Sequence, residues 1–446
     1  MEYKGLKFGT LVSILVIVLA IYYRKSENTL QKRLIAVLEG LERVETKHEG
    51  LPRPKVAIGY GICTDVYIDA KYLLKYSNDI RIPEHFDEIT TEKELLKSFA
   101  YYFRHGAAAE FVKEGCDVLL AAKMTKALQQ MIPSNIRVVG GDVNRDDVHL
   151  VLEYKRGESW GPYTSSRANR YIVHNDINNP TISSLEEFDK LLPEFAPDLF
   201  VVSGLQMMDN YPFPEGVRLS RLLKVKQQMI AQPKSTKIHF EMASFTEESL
   251  LLELTELVIP FADSLGMNEQ EVTNLHNLML YGNISLVADS NPRVATVLDQ
   301  MRTLFKLVRR NEKSFMNARQ LTRIHVHTLA YQAILNVKNS RWKNTMAAAA
   351  KASLTANRHV CGSNNVDVQK AMLIMDDSFS TSTEAGKRIP LDIEKPVSCW
   401  DEVLKIENDQ ISVQVCVAPV LVCTQASQTA GGGDNISSAG LVPQIS

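Results

Sequence analysis

The chain has 446 residues, 45% of them hydrophobic and 23% charged, with 50 Lys and Arg against 52 Asp and Glu for a net charge of −2. That is enough for one large domain or roughly two to three ordinary ones, and the composition excludes a disordered, collagen-like or disulfide-miniprotein chain. So even a balance offers no basic excess for phosphate backbones, and no nucleic-acid partner is expected.

Phe8 to Tyr23 is an almost unbroken apolar run of about 16 residues, flanked by Lys4 and Lys7 before it and Arg24 and Lys25 after. Its length falls between a signal-peptide core of about 7–15 residues and a bilayer span of roughly 20. Ile21, Tyr22 and Tyr23 leave no small-residue cleavage site. Residues 1–25 therefore read as a signal anchor or a poorly marked signal peptide. The body is expected in the endoplasmic reticulum lumen or secreted, touching membrane only through this segment. Residues 26–54 read as a helical linker, with Leu30, Leu34, Leu38 and Leu41 on one face.

Beyond it, short β-type runs alternate with helical stretches. Lys55–Ile62, Leu199–Ser203, Lys237–Phe240, Arg323–Thr328 and Pro419–Cys423 are strand-like. Leu185–Leu192, Leu219–Ile230, Glu247–Val258, Val294–Val308 and Trp342–Ala352 carry helical periodicity. The alternation predicts an α/β fold with a large, doubly wound, mostly parallel sheet. Val148–Tyr154 and Arg170–Val173 read as extra strands of a smaller sheet that serves as a lid. The six cysteines, Cys63, Cys116, Cys361, Cys399, Cys416 and Cys423, have no CxxC spacing, which argues against a thiolate zinc site. They are expected to be buried thiols, or, in an oxidising lumen, to include one bridged pair, Cys361 with Cys423. Asn283-Ile284-Ser285 and Asn435-Ile436-Ser437 are glycosylation sequons; the second falls within the candidate site and is expected to be unused.

The chemistry concentrates near the C-terminus. After the run Pro419–Cys423 comes Thr429-Ala430-Gly431-Gly432-Gly433-Asp434, with a helix predicted to start near Asp434. Glycines let the backbone approach a ligand and turn successive N–H groups toward it, and a helix N-terminus favours an anion. Asp434 on the same turn can accept a proton. An anion cradle beside a base suits transfer of a phosphoryl group to a hydroxyl. Two acids stand at other predicted strand ends, Glu241 in His239-Phe240-Glu241 and Glu271 in Asn268-Glu269-Gln270-Glu271, where open α/β sheets place their ligands. With Asp434 they suit a hydrated Mg²⁺ that binds through few carboxylates and keeps several waters.

These three motifs, with Arg323-Ile324-His325-Val326-His327-Thr328-Leu329, Ser203-Gly204-Leu205-Gln206-Met207-Met208, His149-Leu150-Val151-Leu152-Glu153-Tyr154 and Ala168-Asn169-Arg170, resemble the eukaryotic ADP-dependent glucokinases of the ribokinase-like superfamily, from about Arg53 to the C-terminus. The resemblance implies a ribokinase-like domain over 55–446, with a lid drawn from segments within 62–105 and 148–180. It implies a kinase that phosphorylates D-glucose at the 6-hydroxyl with ADP, releasing AMP, with Mg²⁺ as cofactor, and a monomer is expected. Asp434 matches the catalytic base, Gly431, Gly432 and Gly433 the anion hole, and Glu241 and Glu271 the metal-site acids. Asp65 matches the sugar-binding aspartate. His327 lies near the adenine pocket of the family, and Arg170 is a candidate phosphate contact. An ADP-dependent phosphofructokinase is the alternative acceptor class.

The chain departs from that pattern in two places. Gly61 stands where the family has an asparagine. The run Gly106-Ala107-Ala108-Ala109-Glu110 passes directly into Phe111-Val112-Lys113, without the Gly-Gly-Asn-Ala segment that contributes to the sugar pocket in the family. A catalytically impaired ADP-binding protein is therefore the competing expectation.

Overall fold

A computed structural model describes residues 16, 29–46, 54–61, 64–69, 82–84, 91–105, 117–121, 136–139, 147–176, 178–285 and 287–445. The expected signal or anchor at 1–25 lies outside them apart from Val16, as do Cys63, Cys116 and the run 106–116. Among the described residues no helix is long and apolar enough to cross a membrane.

The β-branched and aromatic runs assemble into a ten-stranded sheet. Its strands lie in the order Ser398–Ile406, Asp409–Pro419, Tyr331–Val337, Arg323–His327, Ser264–Asn268, Lys237–Glu241, Leu199–Val202, Lys55–Gly59, Asp117–Ala121 and Ile136–Val139. From Arg323–His327 to Ile136–Val139 every neighbour is parallel. Tyr331–Val337 turns back antiparallel, and the last two strands continue that way. The strand-like run at Pro419–Cys423 divides: Pro419 closes the ladder with Tyr331, whereas Leu421–Cys423 pairs with Ala371–Leu373.

Both faces are covered, as the doubly wound expectation requires. On one, helices Leu185–Phe195, Val217–Ala231, Glu248–Leu257, Glu269–Tyr281 and Val294–Asn311 bury Phe188, Leu222, Leu254, Leu275 and Met301 with Phe200, Phe240, Leu265 and Ile324 of the strands. On the other, the alanines of helix Thr345–Cys361 pack on Ile334, Cys416 and Ala418; small side chains let that helix sit close to the sheet. The stretch expected to be a linker carries a helix over 29–45, and its Val37 and Leu41 are buried in this second cluster. It is packed into the body because two of its apolar positions face the sheet. Cys361 is bonded to Cys423, as the pairing expectation named, and Cys399 is bonded to Cys416 directly across the edge ladder.

A separate three-stranded sheet comprises Thr64–Asp69, Val148–Tyr154 and Asn169–Asn175, the first pair parallel and the second antiparallel. Helix Glu92–His105 covers it, placing Leu96, Phe99 and Phe103 against Leu152, Tyr154, Trp160 and Tyr171. Edge-to-face contacts of Phe99 with Tyr154 and Trp160 give this unit an aromatic core of its own.

Candidate active site

The strand ends and the C-terminal turn meet in one cleft of about 1050 Å³. Gly431 takes φ +68°, a left-handed conformation that glycine adopts without strain, and caps helix Gly432–Leu441. Asp434, in the first turn of that helix, is nearly buried. Gly432, Gly433 and Asp434 line the cleft together with Glu241, Glu271, His327 and Arg170. Residues scattered over half the chain thus face one volume. Asp65 lies in the strand Thr64–Asp69, opposite His149 in register; its side chain is not among those described.

Glu241 is the last residue of its strand and fully enclosed by donors. One carboxylate oxygen accepts from Ser437 at 2.7 Å, and the other is 2.7 Å from His239 Nε2. His239 Nδ1 in turn meets Ser264 Oγ at 2.8 Å, and that hydroxyl receives Arg323 at 3.0 Å. Arg323 also donates to Gln444 and to the Gly440 carbonyl of helix Gly432–Leu441. Burial pushes the Arg323 guanidinium down to about 9, against the pull of Glu241. Burial likewise holds His239 and His327 below the ordinary imidazole value. A neutral His239 then donates from Nε2 to Glu241 and accepts at Nδ1 from Ser264. Burial raises the Glu241 carboxyl, but the hydrogen bonds from His239 and Ser437, with the His327 ring nearby, outweigh it and keep the carboxyl below its usual range. A negative charge is therefore retained in a buried place.

Glycine is required beside it. A Cβ on Gly266 would stand 2.1 Å from a Glu241 carboxylate oxygen, so a larger residue there would push the carboxylate away. Gly433 leaves room for His327, whose ring would be 3.3 Å from a Cβ at that position; His327 Nε2 lies 3.9 Å from Glu241. His327 thus sits at the polar, glycine-turn end of the cleft. The apolar side chains of Leu329, Ala356, Val360, Val420, Val422 and Ile436 also line the cleft.

Glu271 has a structural task as well. Its carboxylate accepts from the Asn268 backbone N–H at 2.8 Å, while Asn268 caps the helix by accepting from the N–H groups of Gln270 and Glu271. This reciprocal capping box accounts for the N-x-x-E spacing by itself. Among the described residues no group of three or more His, Cys, Asp or Glu side chains stands close enough to hold a metal ion. Glu241 and Glu271 already have protein partners, the first His239 and Ser437, the second Asn268. Retained charge on hard oxygens still fits a cation that keeps its own waters.

The sequence reading missed Ser437, Ser264, Glu153, Thr429 and the pair Arg167–Glu269. Arg167 donates to Glu269 at 2.6 Å and to the Ser290 carbonyl at 3.3 Å. The one available signal was Ser437, three residues after Asp434 and so on the same helix face. Asn435 donates to the Gly431 carbonyl at 2.8 Å, so its amide is engaged in the turn, whereas Asn283 is exposed.

A family profile described as the conserved region of ADP-specific phosphofructokinase and glucokinase matches residues 54–114 and 110–443. The two stretches overlap at residues 110–114. The chain is 30% identical to an ADP-dependent glucokinase of Bos taurus over 87% of its length and 84% of that protein. It is 25% identical to a probable ADP-dependent glucokinase of Caenorhabditis elegans, with the same coverage of 87% and 84%. Among solved structures, an ADP-dependent kinase complexed with fructose 6-phosphate and ADPβS superposes with TM-score 0.59 at 16% identity, covering 93% of this chain and 97% of that one. A reconstructed ancestor of the Methanosarcinales ADP-dependent phosphofructokinases gives 0.53 at 17% identity, covering 94% and 98%. These neighbours identify the fold as ribokinase-like.

Proposed function

This chain belongs to the family of ADP-specific phosphofructokinases and glucokinases and is an ADP-dependent sugar kinase, and on that premise we propose that it transfers the β-phosphoryl group of ADP to the 6-hydroxyl of D-glucose and releases AMP. The observation that carries the reading is the position of Asp434, a buried carboxylate in the first turn of a helix whose glycine N-terminus opens into the same cleft.

In this reading the glycine turn and the N-terminus of the helix Gly432–Leu441 hold the moving phosphoryl oxygens, which carry spread negative charge in the transition state. Asp434 orients the acceptor hydroxyl and takes its proton as the O–P bond forms. Arg170 adds a cation beside the turn, and the apolar side chains from Ala356 to Val422 receive the adenine ring. Glu241 and Glu271 would hold a Mg²⁺ through its waters, which would neutralise phosphate charge. The three-stranded sheet is the lid, and Asp65 on its first strand accepts sugar hydroxyls. Closing it excludes water as a competing acceptor. All of these groups come from one chain, so a monomer suffices. Two disulfides and the apolar run at Phe8–Tyr23 support a lumenal or secreted location.

A coupled assay with ADP, GDP and ATP as donors and glucose and fructose 6-phosphate as acceptors tests the proposal. Glucose 6-phosphate formed with ADP is the expected result; turnover of fructose 6-phosphate alone would make the chain a phosphofructokinase. The break in the family match at residues 110–114 favours a second reading, an ADP-binding protein with a damaged acceptor site. Calorimetric ADP binding with no hexose phosphate formed, and activity regained on inserting the glycine-asparagine segment, would select it.

A further inference from the structure

We propose that Glu153 is a positioning residue that, with Arg170, transmits the placement of the three-stranded sheet to the phosphate-binding turn by gripping Thr429. Glu153 and Arg170 stand directly opposite one another on the antiparallel strands Val148–Tyr154 and Asn169–Asn175. From that single register position they reach 276 and 259 residues along the chain to Thr429, two residues before Gly431. One Glu153 carboxylate oxygen accepts from both the backbone N–H and the hydroxyl of Thr429, each at 2.9 Å. Arg170 donates to the Thr429 carbonyl at 3.1 Å. The same carbonyl receives the N–H of Gly432 at 3.3 Å. Every polar group of Thr429 is thereby tied to the small sheet or to the glycine cradle.

A carboxylate at this place needs a reason. Beside a site built to attract anions, a negative charge opposes the ligand. Placed instead as a double acceptor for the backbone N–H and hydroxyl of Thr429, and opposite Arg170 in the ladder, Glu153 forms charge-assisted bonds of the stronger kind. The stretch it grips is irregular and is otherwise tied by the backbone N–H of Thr424 to Lys370 and those of Ser427 and Gln428 to Val360. Residues 424–429 form neither helix nor strand, and Thr424, Gln425, Ser427 and Gln428 are exposed. Behind the turn, Ser427 bonds the Val360 carbonyl and His359 meets the Ala430 carbonyl. The front is fixed by the clamp. When the small sheet lies over the cleft, the turn and its N–H groups are set for phosphate; when the sheet moves off, Thr429 loses three bonds together. Acceptor binding under the sheet and phosphoryl binding at the turn then share one element, which is how two sites become coupled.

The inference rests on the kinase reading for its consequence but not for its contact, so two measurements separate them. The first is hydrogen exchange over residues 424–433 with ADP bound. The turn in Glu153→Ala should exchange about tenfold faster than in wild type, with Glu153→Gln, which keeps an acceptor oxygen, in between. The second is steady-state kinetics with glucose. Glu153→Ala should lower kcat by about 10- to 100-fold, the scale expected of a displaced reacting group, with little change in KM for ADP, and Glu153→Gln should recover part of the loss. Thr429→Val should resemble Glu153→Ala, and the double variant should be no worse than either single one. Unchanged exchange in Glu153→Ala, unchanged kcat, or a double variant whose loss is the product of the two would overturn the clamp. Should wild type make no hexose phosphate while Glu153→Ala still loosens the turn, the clamp stands and the glucose proposal falls.

Discussion

The carboxyl edge of the large sheet and the small three-stranded sheet face the same cleft but are built in opposite ways. At the large sheet, the charged groups are fixed from within: Glu241 by His239 and Ser437, Glu271 by its own helix cap, and Arg323 by Ser264, Gln444 and Gly440. The small sheet has an independent aromatic core and reaches the other side through a few polar bridges, Glu153 and Arg170 to Thr429 and Arg167 to Glu269. Under the proposed function this is a division of labour, with a preorganised donor side and an acceptor side that the small sheet would bring to it. Preorganisation belongs where charge develops, and a movable cover belongs where substrate must enter and water must leave.

Removing the base should break the comparison most severely. Asp434→Ala is expected to lower kcat by about 10³-fold or more, since both proton acceptance and orientation are lost, while ADP affinity by calorimetry changes little. Next comes Gly266→Ala. The new Cβ displaces Glu241, so activity should fall sharply and the melting temperature should drop, for a cost of about 1–3 kcal/mol; an unaltered melting temperature would mean the donor side is not rigid. Ser437→Ala removes one donor to Glu241 and should destabilise by about 1–3 kcal/mol, with kcat reduced more than KM for ADP is raised. The smallest effect lies outside the cleft. Burial raises the Glu312 carboxyl to about 7 from an ordinary 4.5, despite its bonds to Leu321 and Arg309. The folded chain therefore keeps a proton that the unfolded chain has released, and stability falls as pH rises from about 4.5 to 7. Glu312→Gln should flatten that decline in denaturant titrations, by on the order of 1 kcal/mol, without touching kinase activity.

What the sequence disclosed follows the same divide. Runs such as Leu199–Val202 and Lys237–Glu241 are apolar throughout because both faces of the large sheet are covered, and such runs are recognisable singly. The glycine turn was legible for a similar reason, since a left-handed Gly431 before a helix leaves a local mark. Ser437 left only its helical spacing from Asp434, with its partner 196 residues away, and Thr429 and Glu153, 276 residues apart, left none; a strand glutamate is unremarkable until the fold supplies the neighbour. The helix over 29–45 shows the converse. Its apolar face was visible, but whether it stood free or docked depended on Ile334 and Cys416, far downstream. The Asn268–Glu271 spacing was read as chemistry, and it is also a helix cap, two roles that spacing alone does not separate.

The central claim is that one cleft passes a phosphoryl group from ADP to a hexose hydroxyl. ³¹P NMR of the full chain with ADP, Mg²⁺ and glucose follows that group directly. AMP and glucose 6-phosphate should appear in equal amounts with wild type and be almost absent with Asp434→Ala. AMP accompanied by inorganic phosphate in place of the sugar ester, or equal rates in the two proteins, would contradict the account.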